Sequence, residues 1–304
     1  MTATFSDWKK VVQPREKCGK SVENIVLFLG DAQSSTIAVP IARRLSELYS
    51  ATLHVTYVGK EIPDLSAPGG RFGFDAHPVE SIALESGEEN AAKQVARLAH
   101  DLPKTIVVMS TQTGRATDTN RFGLMTESLF SMRPKRAVLL SSIRGEHAWD
   151  IHRILLAHDG TPACQAATES AAELAQCAGA EVVALHVAAR GEEPSEQIGS
   201  IPAPQYVDQP QHEWPAWAEE FLSRVLGPGA LPSSVRFKLA VAGGQAGSEV
   251  AQAAREENAD LVVMAWHGHW DRKSCATRVV VKTSGCPVML VYSPDSEIYA
   301  GDDK

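Results

Sequence analysis

Ile25-Val-Leu-Phe-Leu-Gly-Asp31 and Ile154-Leu-Leu-Ala-His-Asp-Gly160 share one shape, an apolar run that ends in a Gly/Asp turn. Three further pairs follow in the same order. Leu53-His-Val55 matches Leu185-His-Val187, Ile106-Val-Val-Met109 matches Leu261-Val-Val-Met264, and Ala137-Val-Leu-Leu140 matches Val288-Met-Leu-Val291. The offsets along the four pairs are 129, 132, 155 and 151 residues. An ordered internal repeat of this kind means two copies of one unit, and it has to be recognised before any element is assigned. Between the apolar runs, Thr36–Ser50, Glu88–His100, Ala166–Ala178 and Ser248–Asn258 carry apolar residues at helical spacing. Gly179 stands where a helix C-cap is expected. Short, continuously apolar strands that alternate with amphipathic helices predict a parallel sheet covered on both faces. The fold class is therefore α/β, with two tandem doubly wound domains. They are placed at 23–142 and 151–293, joined by a linker at 143–150 and flanked by polar tails at 1–22 and 294–304. A Pro-, Gln- and Glu-rich stretch at about 190–211 reads as an insertion in the second domain.

Composition narrows the function classes. Of 304 residues, 44% are hydrophobic and 22% charged, which is ordinary globular usage. The formal net charge is −8, from 29 basic and 37 acidic residues, with no concentrated basic stripe, so no nucleic-acid partner is expected. No apolar run approaches the ~18 residues of a spanning helix, and the first 22 residues lack the apolar core of a secretory signal, so no membrane insertion is expected. The five cysteines, Cys18, Cys164, Cys177, Cys275 and Cys286, are never spaced C-x-x-C and read as reduced thiols of a cytoplasmic protein.

Within the second unit, Ala157-His-Asp159-Gly160-Thr161 is similar to the apolar-x-Asp-Gly-Ser turn that ends the first strand of universal stress protein domains. Gly244-Gln-Ala-Gly-Ser248-Glu249 resembles that family's turn into the third helix. Asp260-Leu-Val-Val-Met-Ala-Trp-His267-Gly268 resembles its fourth strand, and Cys286-Pro287-Val288 the entry to its last. The chain thus resembles a tandem, two-domain universal stress protein. The resemblance implies five-stranded sheets of order 3-2-1-4-5, an adenine nucleotide α-hydrolase-like fold, and pairing of the two domains through their last strands. A homodimer stays open as a further assembly. Independently, a doubly wound sheet takes its ligand beyond the carboxyl ends of its strands, at the switch between the first and fourth. That position holds Asp159 and the loop after Gly268.

In ATP-binding relatives the Asp that ends strand one reaches the adenine and ribose, backbone at the end of strand two frames the base, and a glycine loop holds the phosphates. The resemblance therefore marks Asp159, Gly160, Val187, Ala265, Gly268, Ser274 and Cys275 in the second domain. In the first it marks Gly30, Asp31, Val55, Gly114, Arg115 and Gly123. Both copies depart from the pattern. Gly30 and Asp31 stand in swapped order, Ser110 and Ala265 replace the first loop glycine, and Leu124 replaces a phosphate-binding hydroxyl. Only five residues separate Gly268 from Ser274, so a second-domain ligand is expected to be AMP-like, whereas the longer first-domain loop is the better place for ATP.

Other constellations are weaker. His158, His267 and His269 could converge on zinc, but His267 holds an ordinary turn position, and no metal requirement is expected. His54 and His186 read as core histidines at one repeat position, and Trp214 and Trp217 as a helix packing over the sheet. No G-x-S-x-G, Walker or H-E-x-x-H motif is present, so at most slow ATP hydrolysis is expected. Three functions follow in order: a cytoplasmic stress-response module that binds adenine nucleotide; a nucleotide-free scaffold for a protein partner; and, least favoured, an adenine-nucleotide hydrolase-type enzyme.

Overall fold

The computed structural model describes residues 3–5, 21–30, 37–58, 79–84, 97–98, 100–111, 124–131, 133–140, 149–188, 220–221, 223, 225, 234–267 and 275–293. Their strands are β1 (Ala3–Phe5), β2 (Asn24–Gly30), β3 (Thr52–Val58), β4 (Val79–Leu84), β5 (Thr105–Ser110) and β6 (Arg136–Leu140). The second half adds β7 (Arg153–Ala157), β8 (Glu181–Ala188), β9 (Arg236–Gly243), β10 (Leu261–Trp266) and β11 (Val288–Tyr292). Five α-helices are described: α1 (Val39–Tyr49), α2 (Leu124–Ser131), α3 (Gln165–Ala178), α4 (Ala246–Glu256) and α5 (Cys275–Thr283).

All eleven strands form one sheet, in the order β1-β9-β8-β7-β10-β11-β6-β5-β2-β3-β4. Each half is parallel and runs 3-2-1-4-5, as expected. The halves meet where β6 and β11 pair antiparallel, with Leu139 opposite Val288 and Ala137 opposite Leu290. Each of these strands would otherwise be an open edge, and pairing them satisfies both ladders. Ala3–Phe5, within the expected N-terminal tail, form β1, which pairs antiparallel with the outer strand β9. Three residues are too short to show a period in sequence.

Two apolar layers flank the sheet. On one face α1 and α3 bury Ile41, Leu45, Ala171 and Leu174 against Leu27, Val55, Ile154 and Leu156. On the other, Phe130 of α2, Val250 of α4 and Val280 of α5 pack on Val26, Leu155, Val262 and Leu290. Strands buried on both faces are apolar at every position, which is why these runs show no alternation. Gly179 closes α3 in the left-handed conformation, φ 70°. The predicted helix at 88–100 is described only at 97–98 and 100. The 190–211 insertion, both tryptophans before it reaches Glu220 and the tail after Ser293 lie outside the described residues.

Strand pairing corrects one alignment. Phe28 pairs with Thr56, and its counterpart Ala157 pairs with Leu185. Thr56 therefore corresponds to Leu185, and Val58, not Val55, corresponds to Val187. Burial agrees, since Leu53 and Val55 share a face with Val182 and Ala184, whereas Leu185 and Val187 lie on the other. A slip of three residues exchanges the faces, so two Leu-His-Val triplets can match by letter and differ in role. His54 and His186 are consequently not equivalent. His54 shares a hydrogen bond of 2.9 Å with Asn24 Oδ1 near the start of β3, while His186 sits near the end of β8.

The reading of every cysteine as a reduced thiol is also corrected. Cys177, near the end of α3, is disulfide-bonded. Residues distant in sequence can meet across a helix face, so C-x-x-C spacing is not required for pairing. Cys164 and Cys286 are buried thiols outside any disulfide.

At the amino ends of the second-half strands, buried Glu181 on β8 is bonded by Arg153 Nε on β7 and by Lys238 Nζ on β9, the latter at 3.2 Å. Burial alone would raise its pKa, but the hydrogen bonds from Arg153 and Lys238 outweigh it and hold the carboxyl below its ordinary range. The folded pKa lies below the unfolded one, so this contribution is complete above the unfolded value and is lost as pH falls through the folded value. Glu181→Gln is expected to cost about 2 kcal/mol at neutral pH and to lessen the acid sensitivity of the urea midpoint below about pH 4.5. An unchanged acid limb in that variant would refute the assignment.

Candidate functional site

The first and fourth strands of the second half, β7 and β10, part at their carboxyl ends and leave a crevice of about 440 Å³. Ala157, Leu185 and Met264 form part of its apolar lining, with Val187 and Ala265 at the strand ends. Ala246 from the first turn of α4 and Ala276 and Thr277 from that of α5 complete one wall. Gln245, ahead of α4, is extended and makes no side-chain cap bond. The first N–H groups of such helices have no intrahelical acceptor and carry the positive end of the helix dipole.

Asp159 lies in the turn after β7. Its Oδ1 accepts the Thr161 N–H at 2.8 Å, the Thr161 hydroxyl at 2.7 Å and the Cys164 thiol at 3.2 Å. Burial opposes ionisation, yet the bonds from Thr161 and Cys164 prevail and hold the carboxyl below its ordinary range. Asp159 is therefore a carboxylate at neutral pH, an acceptor and never a donor. Gly160 takes φ 85°, a left-handed value that the turn requires and a side chain would strain. Its N–H donates to His158 Nδ1 at 2.9 Å.

His158 is buried, and burial drives its pKa down to about 4, with His186 adding to the fall. His186 is lowered in the same direction, again chiefly by burial, and its Nδ1 lies 3.2 Å from the His158 carbonyl. The Phe221 ring stands edge-on to both imidazoles, at 5.6 and 5.0 Å. With Nδ1 of His158 accepting from Gly160, the ring proton is on Nε2. The ligand atoms of His158, Asp159 and Cys164 lie within 4.8 Å of one another. Nδ1 of His158 is occupied by the Gly160 N–H, and burial keeps the Cys164 sulfur a thiol that donates to Asp159. Hydrogen bonds account for this cluster.

Of the residues marked from sequence, Asp159, Val187 and Ala265 line one crevice, Gly160 shapes its turn, and Cys275 opens α5. Gly268 and Ser274 lie outside the described residues. In the first half Gly30 ends β2 at the equivalent switch, but Val55 is fully buried in the core and lies three residues short of the strand end. Val55 is thus withdrawn as a site residue, for the register reason given above. Asp31, Gly114, Arg115 and Gly123 lie outside the described residues.

Gly247 was not singled out from sequence, although it shapes the site. A Cβ there would sit 2.9 Å from the Val279 Cβ and 3.0 Å from the Ala276 backbone, so α4 and α5 touch at their first turns. Only that close approach brings both helix starts to one crevice. Gly247→Ala is expected to force the helices apart and cost about 1–3 kcal/mol, measured by urea unfolding. Wild-type stability in this variant would show that the contact is slack.

A doubly wound α/β chain with its crevice at the strand switch is the class these features define. Residues 150–292 match the model of the universal stress protein family, and this half of the chain is a universal stress protein domain. Solved structures extend the likeness to the whole chain. A candidate universal stress protein from Pseudomonas aeruginosa UCBPP-PA14 is 12% identical with a TM-score of 0.61, covering 92% of this chain and 96% of its own. A protein of unknown function from Pseudomonas aeruginosa PAO1 is 13% identical with a TM-score of 0.60, again over 92% and 96%. A universal stress protein from Archaeoglobus fulgidus DSM 4304 is 13% identical with a TM-score of 0.60, over 90% and 97%. At such identity these structures share the fold of this chain. No curated protein sequence matches it. Among the described residues, no helix is long and apolar enough to cross a membrane.

Proposed function

We propose that the second half binds an adenine nucleotide of monophosphate size, and that the chain works in the cytoplasm as a nucleotide-responsive stress module. The observation that carries this reading is the polarity of the crevice. The Asp159 carboxylate can only accept hydrogen bonds, so the ligand end beside it presents donors such as ribose hydroxyls. The first turns of α4 and α5, lining the opposite wall, favour an anion. Between them the lining is apolar, from Ala157, Leu185, Val187 and Met264, and suits the face of a base. Hydroxyl donors, a flat ring and a phosphate in one molecule describe a nucleotide.

The length of the phosphate end follows from sequence. Five residues between Gly268 and Ser274 supply less backbone N–H than a triphosphate needs. AMP is therefore expected to raise the Tm of the full chain at least as much as ATP at equal concentration. A much larger shift with ATP would place the γ-phosphate in the short loop, or the ligand in the first half, and would refute the assignment.

A further inference from the structure

A second cavity, of about 220 Å³, opens at the same end of the sheet as the crevice, at the carboxyl end of β11 and the amino ends of β5 and β6, with the Trp266 and Tyr292 rings between the two. Leu102, Val107, Pro134 and Tyr292 give it an apolar lining, and Lys104, Arg133, Lys135 and Arg136 surround it with positive charge. Among the described residues, no acidic side chain lines it. We infer that this cavity is a binding site for a small phosphorylated anion, separate from the crevice beside Asp159.

Three observations support the assignment. The first is charge. Lys104 is paired with Glu23 at 2.8 Å, and Arg136 lies 3.8 Å from Glu173, so these two cations are partly compensated. Exposed Lys135 has no ion-pair partner among the described residues. Arg133 NH1 donates to the Tyr292 hydroxyl at 3.3 Å, and its guanidinium carbon lies 5.9 Å from the centre of that ring. This holds the guanidinium, a planar fork of donors suited to phosphate oxygens, beside the cavity.

The second observation is backbone conformation. Lys104 and Arg133 both adopt φ 50°, the left-handed region that long L side chains rarely occupy. In the second half, the corresponding turns place Asn258 at φ 51° and Gly285 at φ 76°, residue types that tolerate it. The same fold thus makes both turns with a relaxed residue in one half and a cation in the other. The turn Ser284-Gly285-Cys286-Pro287 carries no charge at all. The cations are not what the turn needs.

The third is size. Small-molecule sites run from about 300 to 1,000 Å³, so a cavity of this volume holds an anion such as pyrophosphate and not a whole nucleotide. Several cations around one opening favour a multiply charged phosphoryl group over a single carboxylate.

The test is calorimetric titration of inorganic pyrophosphate into the full chain at moderate salt, with Arg133→Gly, Lys135→Ala and Asp159→Ala as separate variants. Arg133→Gly relieves the left-handed residue, so its Tm should equal or exceed that of the wild type. Its pyrophosphate affinity should nevertheless fall about tenfold, with a fall of similar size for Lys135→Ala, and Asp159→Ala should bind as the wild type does. The site is overturned if the wild-type chain does not bind pyrophosphate at millimolar concentration. It is equally overturned if Arg133→Gly and Lys135→Ala bind normally, or if only Asp159→Ala loses binding. Failure of AMP to bind the Asp159 crevice would leave this outcome unaffected.

Discussion

Phe130→Ala is expected to destabilise the chain by about 3–5 kcal/mol, the cost of emptying a large aromatic site in a packed core. Phe130 is 1% exposed on α2 of the first half, and its ring meets Trp266 of the second half edge-on at 4.7 Å. Trp266 in turn lies 5.7 Å from the Tyr292 ring and contributes to the crevice beside Asp159. The apolar layer on this face is therefore continuous across the β6–β11 seam, and a cavity at Phe130 is felt in both halves. A single urea transition, shifted to a lower midpoint, should be followed equally by tryptophan fluorescence and by far-UV circular dichroism. Phe130→Leu keeps most of the volume and should cost about 1–1.5 kcal/mol. If Phe130→Ala produced two separate transitions, or left the midpoint unmoved, the halves would not share this core.

The second large effect is one of pH. The folded-state pKa of His158 is about 4, against an ordinary 6.5 for the unfolded chain. Below the unfolded value the unfolded chain takes up a proton that the folded chain refuses, so stability falls as pH falls. Between about pH 6.5 and 4 the loss from this residue alone should be about 3 kcal/mol, and little more is lost below that. The limb is distinct from that of Glu181, whose contribution is intact until pH falls below the ordinary carboxylate range. His158→Asn supplies an amide oxygen that can accept the Gly160 N–H in place of Nδ1, and it has no proton to gain. Urea unfolding of this variant should lose about 3 kcal/mol less than the wild type across the same interval, the remaining fall coming in part from His186, which is lowered in the same direction. A slope equal to that of the wild type would show that some other group carries the linkage.

How much of this was legible in the sequence depended on how local each signal was. The strands β2, β5, β7 and β10 are doubly buried, so each is a continuous apolar run, and the Asp-Gly turn after β7 marks the strand switch. Asp159 could be placed because turn and helix start follow within a few residues, and Oδ1 accepts from Thr161 and Cys164 close by in the chain. The antiparallel meeting of β6 and β11 followed from the family resemblance and from the cost of two open edges. Long-range register was harder. Leu53-His-Val55 and Leu185-His-Val187 agree by letter, and only the pairing of Phe28 with Thr56 shows that they are three residues out of step. The disulfide at Cys177 and the strand at Ala3–Phe5 depend on which distant segments meet, and composition does not encode that. Gly247 lies in a motif seen in sequence, but its role is contact with α5, about thirty residues away.

The central claim is that the crevice at the β7–β10 switch binds nucleotide through Asp159, and calorimetric titration of AMP into the full chain and its Asp159→Ala variant tests it most directly. The account predicts saturable binding by the wild-type chain with affinity weakened by about 1–3 kcal/mol in the variant, roughly ten- to a hundredfold, because an ionised acceptor is lost from the donor end of the ligand. Absence of AMP binding by the wild-type chain at millimolar concentration, or equal affinity in the two proteins, would contradict it.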